Sequence, residues 1–140
     1  MLKFKSKKLV AICCAIALIV SSAIPAFAAT NSITQWFVNF PAFRTGITCA
    51  HGPVDSTSGT DSTFVQLDYL GPEPGSYQAY FLIRRWDNHN TISDTVYMTQ
   101  GDTHNISLNQ HYNKGAVLEL FGGNDNPAFS AGANGYVDFH

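Results

Sequence analysis

Apolar side chains in this chain return at every second position, in short runs stopped by glycine, proline, asparagine and aspartate. A spacing of two puts side chains on one face of an extended strand; a helix needs a spacing near 3.6, and no long stretch of that kind occurs. The first run is Gln35 to Phe40, with Trp36, Val38 and Phe40 on one face, and Pro41 predicts that this strand lies at an edge or ends there. Thr63 to Leu70 alternates Val65, Leu67 and Tyr69 against Gln66 and Asp68, until Gly71-Pro72-Glu73-Pro74-Gly75 stops it. Tyr77 to Trp86, the longest apolar run, is expected to pair with it as a central hairpin. Tyr77, Ala79, Phe81 and Ile83 would face the core, leaving Gln78, Tyr80, Leu82, Arg84 and Trp86 on the other side. Runs at Asp94 to Thr99, around Ile106 and Leu108, at Ala116 to Phe121 and at Tyr136 to Phe139 bring the count to about seven, the density of a single antiparallel β-sandwich. The polar stretch Pro53 to Ser62, rich in Ser, Thr, Asp and Gly, reads as an exposed loop.

Before these runs stands a segment of another kind. Lys3, Lys5, Lys7 and Lys8 lead into an uncharged apolar run from Leu9 to Val20, followed by the small-x-small sequence Ala26-Phe27-Ala28 just after Pro25. That order is the plan of an export signal, with cleavage expected after Ala28 and Ala29 as the alternative. An uncleaved anchor is the competing reading, since Leu9 to Ala29 carries no charge and about 20 apolar residues can span a bilayer. Ser21, Ser22 and Pro25 interrupt the run where a cleavage region belongs. The expected organisation is therefore a signal over 1–28 and a secreted domain over 29–140. Ile12 before Cys13 is not the small residue that precedes a lipidated cysteine.

Removing 28 of 140 residues leaves 112, enough for one domain and too few for two. It also leaves four basic residues against ten acids, a net charge of −6. Such a balance excludes a basic nucleic-acid binder, and disfavours an anionic membrane surface as partner. Of three cysteines only Cys49 remains, so no internal disulfide can form. Its three fates are a partly buried thiol, an intermolecular disulfide, or a nucleophile assisted by His51, which would share its side of a regular strand.

No G-x-S-x-G elbow, Walker loop, H-E-x-x-H helix or C-x-x-C pair occurs, so no catalytic residue is assigned. The acids are scattered; Glu73 falls in a Pro-rich turn, and Glu119 alternates outward between Leu118 and Leu120, where a solvated carboxylate is expected. Asp87-x-His89 and Asp102-x-His104 flank one predicted strand, whose ends would lie roughly 30 Å apart, far beyond shared coordination at about 2 Å. His104, His111 and His140 could meet only through folding, and Asn124-Asp125-Asn126 lacks the ligand spacing of a calcium loop. No metal or other cofactor is assigned.

The stronger functional signal is aromatic. Without Phe4 and Phe27, 16 of the remaining 112 residues are Phe, Tyr or Trp. Those alternating away from the core, Phe37, Tyr80 and Trp86, with Arg84 between the last two, are the candidate exposed platform, suited to sugars, a peptide or another protein. The competing reading makes these rings a second buried layer.

The basic signal, its Ala-x-Ala end and a domain finishing in Gly135-Tyr136-Val137-Asp138-Phe139-His140 resemble small exported proteins of unknown function from Gram-positive bacteria, some encoded beside peptide-bacteriocin export genes. The resemblance implies secretion and work at the cell envelope or in peptide antagonism, and transfers no catalytic residue. The expected function is thus non-catalytic binding at the envelope or to an extracellular protein, peptide or glycan. The alternatives are a bacteriocin-like effector or accessory factor, and a small secreted hydrolase.

Overall fold

The computed structural model describes residues 33–42, 44–71, 78–126 and 128–140. The expected signal, its cleavage at Ala28 and the competing anchor lie outside them, as does Tyr77. Eight strands occur among the described residues: β1 (Thr34–Phe40), β2 (Ile47–Pro53), β3 (Thr60–Leu70), β4 (Ala79–Arg85), β5 (Val96–Met98), β6 (Thr103–Tyr112), β7 (Val117–Asn124) and β8 (Ala131–Asp138). They form two antiparallel four-stranded sheets, the first in the order β1-β8-β3-β6 and the second in the order β2-β7-β4-β5. This is the all-β, sandwich-like architecture the alternation predicts, with β1 at an edge as Pro41 indicates.

The two sheets share one core. Trp36 and Phe40 of β1 meet Phe81 of β4, with ring centroids 5.6 and 6.1 Å apart, and Val65, Leu67, Ile83, Leu118, Leu120 and Val137 are fully buried around them. Ala79, Phe81 and Ile83 do face inward. Burial of these side chains contributes about 1.5–3 kcal/mol each, and among the described residues no disulfide adds to it.

Three expectations are corrected. β3 and β4 are not a hairpin: β3 pairs with β6 and β8, β4 with β5 and β7, so the two strands lie in different sheets. Both runs are apolar enough to be central, and each occupies the interior of its own sheet. The strand count rises to eight because β2 was not counted. Its alternation is broken at Cys49, where the register with β7 slips by one residue between Thr48 and Ala50. The polar stretch over 53–62 is not simply an exposed loop either. Val54 is buried and pairs its backbone with Gly115 and Ala116, and β3 already begins at the buried Thr60.

Candidate functional site

The outward face of the second sheet is built by register. His51 of β2 stands opposite Glu119 of β7, which stands opposite Arg84 of β4; the neighbouring row is Thr48, Phe121 and Leu82. The bulge at Cys49 creates this arrangement, because one extra residue lets Thr48 and His51 both point outward although three positions separate them. His51 therefore leaves the side where a regular strand would have set it beside the thiol, and its ring stacks on Trp86 instead, centroids 4.0 Å apart at 13°. Burial, with Glu119 nearby, pushes the Cys49 thiol well above its ordinary value, which suits a packed side chain rather than a nucleophilic thiolate.

Glu119 is the centre of the face. It alternates outward as expected, yet it is wholly buried and not solvated. Arg84 donates from Nη2 to Oε1 at 2.7 Å and from Nε to Oε2 at 3.2 Å; the Thr48 hydroxyl donates to Oε1, and His89 Nδ1 lies 2.9 Å from Oε2. Burial alone would raise the carboxyl's pKa, but the bonds from Arg84, Thr48 and His89 outweigh it and hold the group below its ordinary value. An ionised carboxylate only accepts, so Nδ1 of His89 carries the proton and the lone pair of a neutral ring sits on Nε2. Four donors saturate the two oxygens. Glu119 is thereby fitted to position its neighbours rather than to deliver a proton.

His89 reaches the carboxylate from a four-residue turn, Trp86 to His89, which closes with His89 N donating to Arg85 O at 2.8 Å and Arg85 N donating to Asn90 O at 3.0 Å. His89 takes φ = 56°, a left-handed conformation uncommon for a residue other than glycine, and its bond to Glu119 gives that conformation a partner. The same turn presents Trp86, 40% exposed, edge-on to His89 and anchored by Trp86 N donating to Val117 O at 3.1 Å. Trp86 also borders an open cleft of about 480 Å³ lined by Asp87, Gln110, His111, Asn113 and Lys114 among others.

The other candidate residues separate. Arg84 is largely but not fully buried, its guanidinium 3.7 Å over the Phe121 ring and paired with Glu119. Tyr80 shares this sheet face, but its hydroxyl donates to Arg44 O at 2.9 Å, so the Arg44 segment covers that end. Burial, with Tyr97, Cys49 and Asp125 nearby, raises the Tyr80 phenol and keeps it a donor. Phe37 is 68% exposed on β1, in the other sheet, so it does not join Tyr80, Arg84 and Trp86 in one surface. Sequence reasoning missed Glu119, His51, His89 and Thr48. The alternation gave the outward direction of Glu119, the Cys49-x-His51 spacing singled out His51 for another role, and the Asp-x-His spacing at 87–89 marked His89; nothing marked Thr48.

The two Asp-x-His pairs are engaged separately. Asp102 accepts from Thr99 N at 2.7 Å and from Thr99 Oγ1 at 2.8 Å, bonds that lower its pKa and close the turn before β6. Asn124 donates from Nδ2 to Phe129 O and accepts from Asn126 N at Oδ1, the local bonding typical of an Asx residue. Comparison of the chain with family models, with curated proteins and with solved structures finds no match.

Proposed function

We propose that this protein is an exported, non-catalytic binding domain that takes a neutral glycan of the cell envelope against Trp86 and the adjoining cleft. The observation that carries the reading is the mounting of Trp86. Its ring is backed by His51, flanked by His89 and fixed by a turn tied to a buried ion pair, so little ordering remains to be done when a ligand arrives. An indole face suits the C–H side of a sugar ring, and the amides of Gln110 and Asn113 beside it suit hydroxyl groups. The charge of −6 over 29–140 favours an uncharged polymer over an anionic one.

The test is retention of the purified protein on isolated cell walls and on uncharged polysaccharides. Trp86→Ala is expected to weaken retention at least ten-fold while the melting temperature stays within a few degrees, because an exposed ring contributes little to the core. Equal retention of variant and parent, or no retention of the parent on any uncharged glycan, overturns the reading.

A further inference from the structure

We propose a divalent-cation site, of the zinc class, formed by Asp55, Asp138 and His140 where the chain leaves β2 and where β8 ends. One ligand atom from each of the three lies within 4.8 Å of the other two. Small side-chain rotations that open the His140–Asp138 contact set the three atoms around one centre at bonds of about 2.0–2.2 Å, and the mixture of carboxylate oxygen with imidazole nitrogen suits zinc better than calcium, which takes oxygen alone.

A second observation points to a cation there. Among the described residues three buried side-chain polar atoms lack a hydrogen-bond partner: Trp36 Nε1, Thr63 Oγ1 and Asp138 Oδ1. Only the last belongs to a group that carries charge, and Asp138 is 3% exposed. A carboxylate oxygen sealed from water without a hydrogen bond is costly unless a cation compensates it. His140 Nδ1 stands against that same oxygen as an ion-pair partner. The contact does not have hydrogen-bonding geometry, so the oxygen keeps lone-pair capacity for a further partner. The side chain of His140 is 39% exposed, which leaves a path of entry and room for water as a further ligand.

The site also has a task in this fold. Asp55 belongs to the segment that carries the chain from β2 in the second sheet to β3 in the first, and Asp138 closes β8 in the first sheet. A bound ion ties the two sheets at one end; the described residues hold one cysteine, Cys49, and it is free.

The experiment is a zinc titration of the untagged protein by calorimetry, paired with thermal melts in chelator and in excess zinc. One equivalent of zinc is expected to bind at micromolar or lower concentration and to raise the melting temperature by about 5–10 °C at saturation. His140→Ala, a change at a half-exposed side chain, is expected to weaken binding at least ten-fold and abolish the shift, and Asp55→Asn to do likewise. Asp138→Asn removes the buried charge, and is expected to melt above the parent in chelator yet gain nothing from zinc. His104→Ala, at an exposed histidine elsewhere, keeps both responses. No binding up to millimolar zinc, or binding undiminished in His140→Ala and Asp55→Asn, overturns the proposal.

Discussion

Glu119 shows how far a single residue's surroundings can depart from its place in the alternation. Its outward direction was legible from the flanking Leu118 and Leu120, but its burial was not, because the groups that cover it come from three separate segments. Arg84 is opposite by sheet register, Thr48 arrives through a bulge, and His89 arrives through a left-handed turn. None of these is local in sequence. The energetic consequence follows from the asymmetry of buried ion pairs, in which the loss of one partner leaves the other uncompensated. Arg84→Ala is therefore expected to cost about 3 kcal/mol, read as a lower urea midpoint, whereas adding Glu119→Leu to it restores much of the loss. If the double variant is no more stable than the single one, the carboxylate is not the source of the penalty.

At the scale of strands, the short alternating runs predicted the sheets well where side chains followed a strict period of two, as in β1, β4 and β7. They failed where the backbone departs from it. The bulge at Cys49 concealed β2 and reversed the expected side of His51, and no composition signal marks a bulge at a cysteine. Pairing partners were also beyond local pattern, since β3 and β4 each read as a central strand while sitting in different sheets. Exposed aromatics were recognised one by one, but the separation of Phe37 from Trp86 is set by that same assignment to sheets.

One strand contact is close enough to give a sharp prediction. At Gly135 of β8 a Cβ atom would stand 1.9 Å from Gln66 O on β3 and 2.9 Å from the Trp36 ring on β1. Backbone cannot yield as the end of a side chain can. Gly135→Ala is expected to cost about 3 kcal/mol, the upper part of the overpacking range, and to lower the urea midpoint accordingly. A midpoint unchanged from the parent would mean that β8 can move away from β3 without loss.

For the molecule as a whole, acid stability follows from the carboxylates held below their ordinary values. Glu119 and Asp102 are both depressed, Glu119 by bonds that outweigh its burial and Asp102 by the Thr99 amide and hydroxyl. A depressed carboxyl contributes stability that is fully present above its ordinary value, near 4.5 for Glu119 and 3.8 for Asp102, and is lost as the pH falls through the folded value. Denaturant midpoints are expected to hold from neutrality to about pH 5 and to fall below that. In Glu119→Gln the acid decline is expected to be shallower, and an equally steep decline would assign it to other groups.

The first sheet joins β1 to β8, the earliest described strand to the last. Until β8 is present, β1 has no neighbour and β3 can pair only with β6, so a chain emerging from its N-terminus cannot complete that sheet. Completion waits for the final strand, and the closing contact spans nearly the whole domain, a slow step in a fold already dominated by distant pairings.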